Sequence, residues 1–313
     1  MRVLLVTSEG ACGIAEHSHY LTEAVDAADP SITIDSSAGV LDPRALDLSD
    51  YEVCHLNYHS ALHSQWTPEA IRAVQALGTK VVVTWHDSGV PNSDHCKSIH
   101  AVADAFIVHE PCEDLPGAIY WRQGVPERRT PFPRIHPAHR PIVGTVGFPF
   151  GWKNFDLLIE AATLAGWSTL LLAPTASDEQ QRQWAQAGPT SVVSTFLPRE
   201  EVVGSLADCD ATAFLYNTHN TGTSGAIRQG IAARKPVIAS RFPFGRQFRD
   251  LHADPLAARV ITWVEPSLEA VVAALSQVKI APIDAGMVAL AEQDSWKGLG
   301  QKYAQLYREL VSK

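Results

Sequence analysis

Several motifs are missing from the 313 residues, and each absence closes off a class of function. No G-x-G-x-x-G run occurs, so the glycine fingerprint of a nicotinamide-dependent dehydrogenase is not met. No C-x-x-C pair occurs either. Cys12, Cys54, Cys96, Cys112 and Cys209 are odd in number and scattered, which fits neither a zinc ribbon nor a disulfide framework and reads as thiols in a reducing compartment. There is no H-E-x-x-H, the helical zinc signature of metalloproteases. No apolar run approaches the roughly 20 residues that a membrane-spanning helix needs. The opening Met1–Val6 run gives way to Thr7 and Ser8, which is short for a secretory leader and reads as a first buried strand. The expectation is a cytoplasmic protein without a transmembrane segment.

Positive charge is scarce in the first part of the chain. Residues 1–141 carry 10 Lys and Arg against 18 Asp and Glu, a net −8 of the chain's −9. Such a surface is ill suited to a polyanionic partner, so nucleic acid and anionic membrane are not the expected ligands.

What is present is an ordinary globular composition, 46% apolar and 19% charged, at a length that suggests two domains. Strand and helix patterns alternate. Strands are expected at Val3–Thr7, Glu52–Leu56, Thr79–Trp85, Ala105–His109 and Ala118–Trp121, with helices at Gly13–Ala27, Pro68–Leu77 and Ser93–Ala103 between them. The run Val81-Val82-Val83-Thr84-Trp85 has the continuous apolar character of a strand covered on both faces. Periodicity stops between Gly124 and Pro141, where five prolines and four arginines mark a linker. It then resumes, with strands at Ile142–Gly147, Thr169–Leu172, Val192–Phe196, Ala211–Tyr216, Pro236–Ala239 and Arg259–Trp263. Helices are expected at Lys153–Ala165, Ser177–Ala187, Arg199–Ala207 and Ser224–Ala233, and a last amphipathic helix at Ser295–Leu310. Two successive β/α runs predict an α/β protein of two Rossmann-like, doubly wound parallel-sheet domains facing a cleft. The expected domains are residues 1–140 and 141–294, with helix 295–312 crossing back to the first.

Four segments fall where such sheets keep their ligands. Glu9 to Ser18 joins the first strand to the first helix, and its glycines together with a helix start suit a phosphate as well as a tight turn. Thr84-Trp85-His86-Asp87 closes a central strand. Gly147 to Asn154 opens the second domain and includes Lys153, a point charge able to neutralise a diphosphate. Thr221-Gly222-Thr223-Ser224-Gly225-Ala226 enters a helix, with Ser224 placed as its N-cap, ahead of the Lys235-Pro236-Val237-Ile238 strand. Among the 13 histidines, His55, His59 and His63 recur at spacing four, but the strand at 52–56 breaks the helical alignment that a metal site would use, and no metal is expected.

Taken in order, these segments resemble the retaining family 4 glycosyltransferases of the GT-B fold. Cys12-Gly13-Ile14-Ala15-Glu16-His17-Ser18 is similar to the family's N-terminal glycine loop, and Thr84-Trp85-His86-Asp87 to its T-x-H-D segment. Gln123 to Pro126, Gly147 to Lys153, Ala207 to Tyr216 and Lys235 to Ala239 follow in the family's order, and the helix bearing Trp296 and Tyr303 resembles its returning helix. The resemblance implies a UDP- or GDP-sugar donor held by the second domain, an acceptor held by the first, retention of anomeric configuration, and no metal or other cofactor. His86 and Asp87 would be catalytic. Gly13, Ile14, Lys153, Thr223, Ser224, Gly225, Arg228 and Gln229 would hold the donor. His17, Asn57 and His59 would lie on the acceptor side.

The chain departs from the family where the usual arginine is Phe148 and the paired glutamates fall on Thr221 and Gln229. Thr223-Ser224-Gly225-Ala226 resembles instead the subgroup with an S-G-x-x start to this helix. Arg228 and Arg241 stand near the loop as substitutes for the missing positive charge. A nucleotide-sugar epimerase and a catalytically silent binding protein of the same fold are the alternatives to transfer.

Overall fold

The computed structural model describes residues 1–10, 12–38, 46–60, 62–86, 93–134, 139–217, 222–280 and 284–313. In chain order the elements are β1 (Arg2–Thr7), α1 (Gly13–Ala28), β2 (Thr33–Ala38), β3 (Val53–Tyr58), α2 (Pro68–Gln75), β4 (Lys80–Trp85), α3 (Asp94–His100), β5 (Ala105–Val108) and β6 (Ile119–Tyr120). There follow β7 (Ile142–Val146), α4 (Phe155–Leu164), β8 (Ser168–Leu172), α5 (Asp178–Ala187), β9 (Thr190–Val193), α6 (Arg199–Asp208), β10 (Ala211–Phe214), α7 (Gly225–Ala232) and β11 (Val237–Ser240). The chain ends with α8 (Arg249–His252), α9 (Ala257–Val260), β12 (Ile261–Val264), α10 (Leu268–Gln277), α11 (Ala285–Gln293) and α12 (Trp296–Val311). No helix among the described residues is long and apolar enough to cross a membrane.

The elements form two compact units. The first comprises Met1–Gly124, Thr221–Thr223 and Asp294–Lys313; the second comprises Val125–Asn220 and Ser224–Gln293. Each is built on a six-stranded sheet whose neighbouring strands are all parallel.

In the first unit the order is β2-β1-β3-β4-β5-β6, and alternate residues of one strand serve opposite faces. Val3 and Leu5 pack with Leu21, Val25, Leu299, Tyr303 and Tyr307 of α1 and α12. Leu4 and Val6 pack on the other face with Ile71, Val74, Cys96 and Ile99 of α2 and α3. In the second unit the order is β12-β11-β10-β7-β8-β9, the doubly wound arrangement whose crevice opens between its first and fourth strands. One face carries α6, α7 and α11, and the other α4, α5 and α10.

The sequence reading needs four corrections here. Strand β2, Thr-Ile-Asp-Ser-Ser-Ala, was not foreseen: it is a polar edge strand and has no apolar run to announce it. Strand β9 ends at Val193 rather than Phe196, which is exposed. The expected helix at Lys153 begins only at Phe155, because Gly151–Lys153 forms a 3-10 turn and Asn154 is left-handed at φ 53°. Finally, residues from Val125 onward pack with the second unit instead of forming a free linker. Val125 joins its core, the Phe132 N–H donates to the Gly204 carbonyl at 2.9 Å, and Arg134 pairs with Glu201 on α6. Arg140 meets Asp208 and Asp210 at 3.0 and 2.9 Å.

Two close approaches hold the units' helices. A Cβ on Gly300 of α12 would sit 2.2 Å from the Ala24 carbonyl oxygen of α1, so the two backbones touch only because residue 300 has no side chain. In the second unit the Arg228 guanidinium of α7 pairs with the Asp250 carboxylate of α8, and both are almost wholly buried, at 2% and 0% side-chain exposure.

Gly300→Val is therefore expected to cost about 1–3 kcal/mol by overpacking, read as a lowered thermal midpoint. An unchanged midpoint would mean that α12 does not lie against α1. Asp250→Ala, which strands a buried cation, should cost about 3–5 kcal/mol in denaturant unfolding. The double change Arg228→Met with Asp250→Leu should recover most of that loss, and its failure to do so would show that the pair contributes more than charge neutralisation.

Candidate functional site

The second unit concentrates its polar chemistry where its sheet order reverses, at the carboxyl ends of β7 and β10. The chain leaves β7 through Gly147, at φ +140°, where a Cβ would lie 1.8 Å from Lys153 Nζ. Only glycine admits the lysine here. The 3-10 turn then folds Lys153 back, and Asn154 Nδ2 fastens the turn by donating to the Leu215 carbonyl at 2.6 Å.

Lys153 is 8% exposed, and no carboxylate pairs with it among the described residues. Its ammonium lies 5.3 Å from the ring centroids of both Trp152 and Tyr216, a cation–π setting. Burial lowers its pKa from the usual lysine value to about 8. A buried cation without an anion is costly, and an arriving phosphate would supply the missing partner.

Tyr216, just beyond β10, connects this lysine to the start of α7. Its hydroxyl lies 3.2 Å from Ser224 Oγ, and burial pushes its pKa up, so it remains a neutral phenol. Ser224 occupies the N-cap position, but its side chain accepts no helix N–H, contrary to the sequence expectation, because the hydroxyl is turned to Tyr216. The first N–H groups of α7, beginning at Gly225, are thereby left without a side-chain cap. Thr223 is half-buried, and Gln229 is buried one turn into the helix. Arg228 does not provide the free positive charge expected of it, since it faces Asp250 in the interior. Arg241 is half-exposed and pairs with Glu265, so its charge is also engaged.

In the first unit the foreseen residues gather at the carboxyl ends of β1, β3 and β4. A chain of hydrogen bonds runs from Thr7 Oγ1 to Ser18 Oγ at 2.6 Å, from Ser18 Oγ to Asn57 Nδ2 at 2.6 Å, and from Asn57 Oδ1 to His86 Nε2 at 3.2 Å. The amide oxygen can only accept, so His86 carries its proton on Nε2 and its lone pair on Nδ1. His86 is half-buried, whereas Asn57 and His17 are 0% and 1% exposed. Asn57 and His17 thus lack the open surface that an acceptor would need; Asn57 instead orients His86. His59 is half-buried and donates its backbone N–H to His63 Nδ1 at 3.1 Å. Gly13 and Ile14 form the first turn of α1, where Cys12 is the N-cap and its Sγ accepts from the Ala15 N–H at 3.5 Å. Asp87 and Thr221 lie outside the described residues.

Burial keeps His17, His86 and His55 in the neutral form. Burial, then the neighbouring His86, His109 and His55, hold His17 well below the usual imidazole pKa. Burial, then His109 and more distant histidines, do the same for His86. His55 is lowered to about 3 by burial, then by His109. It binds Tyr307 and Thr84 inside the core, at 2.5 and 2.8 Å, apart from His59 and His63, as its place on a strand implied. Tyr216 and His109 were not singled out from sequence. The only available signal for either was its place at a strand's carboxyl end.

No protein-family model matches the chain, and no curated protein matches it in sequence. Solved structures do match. Anabaena Alr3699/HepE in complex with UDP and glucose superposes with a TM-score of 0.67 at 11% identity, covering 99% of this chain and 100% of that one. AviGT4, a glycosyltransferase involved in avilamycin A biosynthesis, gives 0.63 at 14%, covering 99% and 98%. The pneumococcal O-GlcNAc transferase GtfA in complex with UDP and GlcNAc gives 0.61 at 13%, covering 86% of this chain and 58% of that one. At such identities the likeness is one of fold: two parallel-sheet α/β units, as in these GT-B glycosyltransferases.

Proposed function

We propose that this protein transfers a sugar from a nucleotide-diphosphate sugar to an acceptor hydroxyl, with retention of anomeric configuration and without a metal. The observation that carries this reading is Lys153, a buried ammonium with no carboxylate beside it at the sheet's crevice, in a fold shared with a protein crystallised with UDP and glucose. In this reading Lys153 meets the diphosphate, and the uncapped start of α7 at Ser224 and Gly225 offers it N–H donors. Both stabilise the charge that gathers on the leaving phosphate as the glycosidic bond breaks. Thr223 and Gln229 flank the same helix start, and Gly13 and Ile14 are kept as donor-side candidates on the resemblance alone. Arg228 is withdrawn from the donor set because its charge is matched internally.

His86, neutral and held by Asn57, presents its Nδ1 lone pair to a hydroxyl of the transferred sugar, with Asp87 beside it in sequence. Asn57 acts through His86, and His59 remains the acceptor-side candidate. A silent binding protein is favoured by one observation, the absence of the family's paired glutamates at Thr221 and Gln229. Hydrolysis of the donor without acceptor separates it from an active enzyme.

Calorimetry with UDP tests the lysine. Affinity should be steady up to about pH 8 and fall above it, because unliganded Lys153 then loses its proton, and the fall should level off at the higher pKa that a bound phosphate gives the lysine. Lys153→Met should weaken binding at least about tenfold, or 1.4 kcal/mol, and remove the alkaline fall. Equal affinities and identical pH profiles would dispose of the phosphate site. For His86→Ala, turnover should drop far more than UDP affinity, and chelators should not lower turnover. Parallel loss of both quantities would make His86 structural.

A further inference from the structure

In the first unit, β4 and β5 run side by side with Trp85 opposite Val108, so the next residues in register are His86 and His109. His17, on the second turn of α1, completes a triangle with them. The ring centroids are 4.6 Å apart for His17 and His86, 5.2 Å for His17 and His109, and 5.1 Å for His86 and His109. One ring nitrogen from each lies within 4.8 Å of the other two. We propose that His17, His86 and His109 form a binding site for a divalent transition cation of the zinc class.

The spacing supports it. Zinc–nitrogen bonds of about 2.0–2.1 Å in a tetrahedral set place imidazole centroids about 5.2 Å apart. Two of the three pairs stand at that separation and the His17–His86 pair lies about 0.6 Å inside it, so rotation of the rings, more than movement of the backbone, would bring their nitrogens to the ion.

The hydrogen bonds support it independently. His109 Nδ1 lies 2.8 Å from the Trp121 carbonyl oxygen, which can only accept, so His109 is protonated on Nδ1 and carries its lone pair on Nε2. His86 is fixed the other way by Asn57, with its lone pair on Nδ1. A carbonyl holding the distal N–H of a histidine is the outer-shell arrangement that orients metal ligands. His17 is the exception that needs an explanation. It is 1% exposed, and neither of its ring nitrogens has a hydrogen-bond partner among the described residues. Burying an imidazole in this way is unfavourable, and a cation would occupy one of those nitrogens.

The site does not depend on the transferase reading. Its occupancy would take the Nδ1 lone pair that the transferase reading gives to the sugar, so the loaded and the transferring states of His86 exclude one another. The test uses the full chain, stripped with chelator and titrated with Co2+ followed by visible absorbance and with Zn2+ followed by calorimetry. One equivalent per chain is expected, with the ligand-field bands of a low-coordinate nitrogen site. His17→Ala and His109→Ala should each weaken binding at least about tenfold with circular dichroism unchanged. X-ray absorption of the zinc-loaded parent keeps the proposal falsifiable if a variant fails to fold, since it should show three imidazole nitrogens at about 2.0–2.1 Å. Lys153→Met, altered in the other unit, should take up the same equivalent, while UDP titration of the stripped parent reports separately on the donor site. Absence of one-equivalent binding, fewer than three imidazoles, or undiminished binding in folded variants would overturn the proposal.

Discussion

A parallel strand cannot return to its neighbour by a tight turn, so each connection has to cross a face of the sheet, and both faces become interior. Much of this protein follows from that constraint. The inner strands of both units are largely apolar, and helices cover each face. Polar side chains that must stay near a ligand are confined to the strands' carboxyl ends, where the backbone leaves the sheet. Lys153, Tyr216, His86 and His109 all stand just beyond such an end.

The two units meet the cost of half-buried polarity differently. The first distributes it through a network, Thr7 to Ser18 to Asn57 to His86, in which each group satisfies the next. Beneath it, His55, Thr84, Tyr303 and Tyr307 form a second buried cluster. Such networks fix tautomers and rotamers, so their histidines are pre-oriented before any ligand arrives. The second unit instead leaves one charge uncompensated. Lys153 has aromatic faces in place of a carboxylate, while Arg228, three residues into the neighbouring helix, is neutralised by Asp250. Of these two cations, only the lysine still gains from an added anion.

The legible parts of the fold were those in which local pattern and tertiary environment coincide. Lys80–Trp85 reads as a doubly covered strand because its apolar run is unbroken, and Ser177 before Asp178–Ala187 forms a capping box with Gln180. Strand β2 escaped notice because an edge strand with solvent on much of its surface has no need of an apolar run. The proline-rich stretch after Gly124 looked like a linker because prolines break periodicity. Its arginines nonetheless anchor it to α6 through acidic partners some 67 to 70 residues away.

For the candidate site, the apolar runs alone place His86 and the Gly147–Asn154 segment beyond the carboxyl ends of central strands. That information is local: a run of apolar residues stops, and a polar one follows. Which side chains meet was decided only by tertiary structure. Arg228 and Asp250 are 22 residues apart, Asn57 and His86 are 29, and His17 and His109 are brought together by a helix and a strand with no local relation. Whether a cation is matched or left bare, and which nitrogen of an imidazole keeps its lone pair, depends on those distant partners. A chain's local propensities carry no record of them, because hydrogen bonds and ion pairs are made in space after the sheets have set the register.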